Sequence, residues 1–177
     1  MLNEQARRQR PVWLATALSF LSTGLYFIWW FGASWADIKR ERADTTMRPI
    51  WHALTSLVPV YASFWAHAHF RVLADLVRPK VSQIPDRAAW AAWLMSFAWI
   101  VGSATLVVRG VPGVVLALAS SALYSAMVYQ GQKDFNAYIR VTGGEQTERA
   151  HAMESIGLVL AIAFSALLFY DELKPTP

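Results

Sequence analysis

Apolar and polar positions fall in long blocks along this chain. Five stretches contain no Asp, Glu, Lys or Arg: residues 11–36, 49–70, 88–108, 110–132 and 155–170. A hydrocarbon core about 30 Å thick is crossed by roughly 20 apolar residues in helical conformation. The first four stretches reach that length and the last falls slightly short. The pattern predicts an all-α, polytopic integral membrane protein.

The first two stretches are copies of one another. Arg10-Pro11-Val12-Trp13 opens the first, and Ala36-Asp37-Ile38-Lys39-Arg40 closes it; Arg48-Pro49-Ile50-Trp51 and Ala74-Asp75-Leu76-Val77-Arg78 do the same for the second, 38 residues later. Agreement of both ends at one offset marks a tandem repeat. Each copy carries a helix breaker near its middle, Ser22-Thr23-Gly24 in one and Pro59 in the other. Half a copy makes a helix of about 15–18 Å, enough for one leaflet. Two topologies are compatible with this. With five single spans and the N-terminus inside, Lys and Arg divide ten inside to six outside. With the two copies as re-entrant or kinked helical hairpins they divide fourteen to two, a far sharper positive-inside bias. A tandem unit that crosses once must also be inverted in its second copy, whereas a hairpin unit keeps both copies the same way up. The hairpin reading is preferred, against a simple proline kink in an ordinary span.

The expected organisation is a cytoplasmic N-terminus (1–10), the tandem repeat of aromatic-rich segments (11–80), a transmembrane hairpin (88–132), a polar cytoplasmic connection (133–154), and a last transmembrane helix with its tail (155–177). Arg109-Gly110-Val111-Pro112-Gly113 reads as the tight turn of the hairpin. Small residues from Ala117 to Ala126 mark the fourth stretch as the packing centre. Thr142-Gly143-Gly144 predicts the end of a helix that projects past the membrane. Three helices thus follow the two repeat units.

With 55% apolar and 14% aromatic residues the composition agrees. The excess of Lys and Arg over Asp and Glu lies in the connecting segments, where anionic headgroups explain it better than nucleic acid. There is no cysteine, hence no disulfide, thiolate metal site or Cys nucleophile. Arg7, Arg8 and Arg10 before an apolar run resemble a signal peptide, but the run is too long and lacks a small-x-small site, so an uncleaved anchor is expected.

Candidate chemistry is sparse. His52, His67 and His69 are the only ionisable groups within the five stretches, and histidine is a common axial ligand of haem. His67 and His69 are two apart, so they point to different faces of one helix; all three sit near expected boundaries, where structural, interfacial histidines are the plainer reading. No acidic residue lies at membrane depth, which argues against an ion-coupled transporter. Metal spacings, phosphate loops and nucleophile motifs are absent from the sequence. The aromatics are louder. Trp29, Trp30, Trp35 and Trp65 beside Lys39, Arg40 and Arg42 predict an interfacial belt on anionic lipid.

Three of these segments resemble motifs of an uncharacterised family of small bacterial multi-helix membrane proteins, catalogued as a domain of unknown function. Thr23-Gly24-Leu25-Tyr26-Phe27-Ile28-Trp29-Trp30 is similar to its Thr-x-Gly-x-Tyr-x-x-Tyr/Trp-Trp stretch, one residue tighter. Pro59-Val60-Tyr61 resembles a Pro-x-x-Asn-x-aromatic stretch without the asparagine. Gln132-Lys133-Asp134-Phe135-Asn136 fits a Gln-x-x-x-Asn ending. The resemblance spans roughly residues 11–140 and implies architecture only, with no activity attached; the location expected for the chain is a bacterial cytoplasmic (inner) membrane.

The function expected from all this is non-enzymatic: an accessory or assembly subunit, or one that shapes the cytoplasmic leaflet. Its partners would be the bilayer, anionic headgroups, and other membrane subunits or further copies of itself. No cofactor is expected on that reading. One alternative is a subunit that holds haem or a chlorophyll-type pigment through His52, His67 or His69. Another is a passive channel or lipid-binding module.

Overall fold

The computed structural model describes residues 9–81, 84–144 and 152–173. Among them are seven helices and no strand: α1 (Val12–Leu21), α2 (Leu25–Arg42), α3 (Pro49–Thr55), α4 (Pro59–Val77), α5 (Ala88–Ala104), α6 (Gly110–Val141) and α7 (Ala152–Leu173).

Each repeat copy is a broken helix. In the first, α1 stops at Leu21 and the chain reverses through Ser22, Thr23 and Gly24. Thr23 and Gly24 both have positive φ, 51° and 90°. Glycine suits that conformation, and it has a second reason to be there: a Cβ at Gly24 would lie 2.7 Å from the Tyr124 ring. Ser22 Oγ accepts the Tyr26 N–H at 2.8 Å and satisfies one of the open amides of α2. In the second copy, Pro59 opens α4 at its first position, where its missing N–H costs nothing. Both breaks fall beside the breakers read from the sequence. Their registers differ, because residues 22–24 shifted by 38 correspond to 60–62 whereas the second break occupies 56–58.

Helix α6 is the spine, in contact with α1, α2, α4, α5 and α7. Its small residues allow close approach, as expected: Ser120 Oγ donates to the Ala98 carbonyl at 2.9 Å, and a Cβ on Gly102 would lie 3.1 Å from that hydroxyl. The side-chain contacts fix every direction. Helix α5 runs antiparallel to α6, with Arg87 on Asp134 at one end and Ala98 on Ser120 further along. Helix α4 is antiparallel to α5: Phe70 meets Trp90, Ser63 pairs with Ser96 at 2.8 Å, and Trp99 Nε1 donates to the Ser56 carbonyl at 3.3 Å. Helix α2 is parallel to α6, with Gly24 beside Tyr124, Trp30 beside Gly131 and Glu41 on Tyr138. Helix α1 is antiparallel, since Asn136 Nδ2 donates to the Arg10 carbonyl at 2.7 Å.

Helices α1 and α2 therefore form a hairpin that is open near Asn136 and closed near Tyr124. The second break, held by Trp99 on α5, lies at nearly the same height along α6. From there α6 continues about 12–14 residues, or roughly 20 Å, to Gly110. Two short hairpins thus stand against the lower half of a longer one. Every described Lys and Arg except Arg109 lies at their open end. Helix α7 runs beside α1, with Leu18 packed on Ala161 and Ser165 Oγ donating to the Leu21 carbonyl.

Only α6, among the described residues, is long and apolar enough to cross a membrane alone; α1, α5 and the 156–167 part of α7 are apolar but shorter. The sequence pattern puts spanning helices at 88–108, 110–132 and 155–170, and only the one within α6 has the length and apolar content. Stretches 11–36 and 49–70 are broken in the middle. Helix α5 stops at Ala104, where Thr105 Oγ1 donates to the Gly102 carbonyl at 2.6 Å and residues 105–107 continue as turns. The polar run from Lys133 remains in α6 up to Val141, so residue 132 is no structural boundary. Thr142 and Gly143 (φ 81°) then end the helix, and Gly144 N–H closes back on the Ile139 carbonyl at 3.0 Å, as predicted for that tripeptide.

Candidate functional site

Arg10, just ahead of α1, holds the open end of the first hairpin together. Its Nη2 lies 3.1 Å from Asp37 Oδ2 on α2, and its Nε lies 3.9 Å from Glu154 Oε1 on α7. The guanidinium also sits 5.6 Å from the centroid of the Trp29 ring. Asp37 is shared with Arg40, and the Tyr26 hydroxyl donates to Glu154 at 3.4 Å. The Arg10 backbone is fixed by a buried relay along α6. Trp30 Nε1 donates to Gln132 Oε1 (3.0 Å), Gln132 Nε2 to Asn136 Oδ1 (2.8 Å), and Asn136 Nδ2 to the Arg10 carbonyl. Gln132 and Asn136 are four apart, which puts both amides on one helix face. The Gln-x-x-x-Asn motif thus joins α1 to α2 through the spine.

The second repeat copy has no such clasp. Arg48 and Asp75, the counterparts of Arg10 and Asp37, are both exposed. The register of the breaks explains this. In the first copy the arms from Pro11 to the break and from the break to Asp37 are nearly equal. In the second copy the break comes one turn earlier, so the arms differ by about ten residues, or about 15 Å of helix. Asp75 is carried well past Arg48.

The three candidate histidines do not form one site. His69 is fully buried, not interfacial. Its ring is walled by Trp30, Phe31, Trp35 and Phe70 at centroid distances of 5.5, 4.9, 5.2 and 5.4 Å. His52 packs on Trp35 at 4.5 Å and on Trp65 at 4.0 Å. Both ring nitrogens of His69, His52 Nδ1 and Trp35 Nε1 are buried without a hydrogen-bond partner. Each such atom costs about 1–3 kcal/mol. A tetrapyrrole needs an open face beside the ligating nitrogen; rings occupy that space around the fully buried His69, which therefore does not fit haem or a chlorophyll-type pigment. His67 is half-buried on the opposite face of α4. Among the described residues no group of three or more His, Cys, Asp or Glu could hold a metal ion.

The expected interfacial belt is only partly found. Trp29 is half exposed and Trp65 half-buried, but Trp30 and Trp35 are core residues. Their spacing carried the signal. Phe27, Trp30, Phe31, Ser34, Trp35 and Ile38 form one helical stripe, all of it buried, and Trp29 lies off that stripe. Of the basic residues, Lys39 Nζ donates to the Met47 carbonyl at 2.8 Å and Arg42 to the Val72 carbonyl at 2.9 Å. The first ties down the α2–α3 loop and the second joins the end of α2 to α4, while Arg40 projects to the surface beside Asp37. In that loop Asp44 accepts from the Thr46 hydroxyl and N–H, which hold its carboxyl below the usual carboxylate range.

No protein-family model, no curated protein and no solved structure matches this chain. The family resemblance noted above rests on its short motifs alone.

Proposed function

We propose that this is an integral membrane protein in which α5 and α6 cross the bilayer while the two repeat hairpins enter one leaflet and return, and that it acts as a non-enzymatic accessory or membrane-shaping subunit. The observation that carries the reading is the common height of the two breaks, midway between Arg109 and the charged end of α6. From Gly110 to Gln132 is about 33 Å of helix, close to the hydrocarbon thickness, and the hairpin tips stop near its centre. The placement of all described cations but Arg109 at one end supports a cytoplasmic orientation for that end. So do the apolar side chains that face outward, among them Val60 (79% exposed), Phe64 (76%) and Trp93 (66%), which suit lipid better than water. Hairpins confined to one leaflet add volume there and not in the other, which favours curvature. Anionic headgroups would meet the exposed Arg40, Arg48 and Arg78.

The chain has no cysteine, so single cysteines report without background. In intact cells, Thr45→Cys is expected to resist impermeant maleimide and to react once the membrane is opened. Arg109→Cys should react from outside, and Thr23→Cys, at a tip, should react from neither side. Labelling of Thr45→Cys from outside would refute the half-depth hairpins.

A further inference from the structure

The first hairpin and α7 enclose a cavity of about 490 Å³, within the size range of small-molecule sites. Most of its wall is apolar, from Leu18, Leu25, Leu160 and Phe164. Gly157 leaves it room, since a Cβ there would touch only Leu18, at 3.7 Å. Tyr26 and Trp29 form an aromatic corner, with ring centroids 5.2 Å apart. Leu25 (55% exposed) and Trp29 (50%) stand at the mouth, which in the orientation proposed above would open into lipid. The polar end is formed by the Tyr26 hydroxyl and the buried Glu154 carboxylate, with Arg10 behind. The cavity therefore grades along α7 from polar near Glu154 to apolar near Phe164, in the direction a lipid of the same leaflet points.

We infer that this cavity binds the head and first isoprenoid unit of a lipid-soluble quinone. Charge selects against a phosphate head, because the cations here are already balanced: Arg10 and Arg40 face Asp37 and Glu154. A neutral flat ring fits the Tyr26–Trp29 corner, and the Tyr26 hydroxyl can turn from Glu154 to donate to a quinone carbonyl. The inference rests on the membrane reading above, since it needs the mouth to open into lipid.

The test uses the full chain purified in mild detergent, with a quinone carrying one isoprenoid unit as the probe and quenching of tryptophan fluorescence as the readout. Saturable quenching is expected. It should weaken about tenfold in Tyr26→Phe, which loses one hydrogen bond. It should also be lost in Leu25→Trp, which fills the mouth from an exposed position and leaves the helix content unchanged. Anionic phospholipid micelles should not compete. Absence of saturable quenching in a folded protein, equal quenching in Leu25→Trp, or competition by phospholipid would each overturn the inference. If the cysteine pattern of the previous subsection holds while quinone binding fails, only the ligand assignment falls.

Discussion

Gly131 is the point where the spine, the first hairpin and the second hairpin converge. A Cβ there would lie 2.6 Å from Trp30 Cη2, 2.8 Å from Trp30 Cζ2 and 3.4 Å from Phe70 Cζ. Gly131→Ala adds helix propensity worth about 1 kcal/mol. Against that stands overpacking, which costs about 1–3 kcal/mol in a well-packed core. The upper end applies, because Trp30 cannot yield: it is fully buried, and its Nε1 is held by Gln132 at 3.0 Å. Moving the indole would also break that bond, at about 1 kcal/mol. The net expectation is a loss of about 2–3 kcal/mol, read as a lower unfolding midpoint in a detergent titration. Trp30→Phe removes the two clashing atoms. In that background Gly131→Ala should be neutral or stabilising by up to about 1 kcal/mol, so the double-mutant cycle should show coupling of about 2–4 kcal/mol. A neutral Gly131→Ala in the otherwise unaltered chain would refute the packing described here.

Gly24→Ala meets both the positive φ and the Tyr124 ring, and should destabilise by about 2–4 kcal/mol in the same titration. Arg10→Ala removes the cation that Asp37 and Glu154 share and, with Arg40 still on Asp37 and Tyr26 on Glu154, should cost about 1–3 kcal/mol. Arg48→Ala, its counterpart in the second copy, should stay within about 0.5 kcal/mol, as a surface substitution does. His69→Phe removes two unpartnered buried nitrogens and should raise stability by about 1 kcal/mol. A clear loss in thermal unfolding of that variant would mean that those nitrogens have a partner.

The parts of the fold that were legible in the sequence are the ones set by neighbours in the chain. Pro59 and the Ser22-Thr23-Gly24 triplet break helices by local backbone chemistry, and the breaks are where they stand. The small residues of α6 announce a helix that others approach closely. Trp30 and Trp35 lie in the core because helical phase, not aromatic content, decides which face is buried; the stripe through Phe27, Phe31, Trp35 and Ile38 separates them from Trp29. The clasp was not legible. Arg10 meets Asp37 only because the first break has equal arms, and the same Arg–Asp spacing in the second copy produces no contact. The role of Gln132 and Asn136 depends on Trp30 and Arg10, more than a hundred residues away, and no local pattern encodes that pairing.

The lopsided distribution of charge bears on how such a chain is delivered into a bilayer. In the proposed orientation, Arg109 is the sole charged side chain between residues 9 and 144 that must be carried through the hydrocarbon. The repeat hairpins can slide in from the side of synthesis with their arginines left behind in water. Biogenesis up to the end of α6 then needs one translocation event, that of a five-residue turn. Adding a second cation near Arg109 should slow insertion far more than adding one to the loop around Thr45.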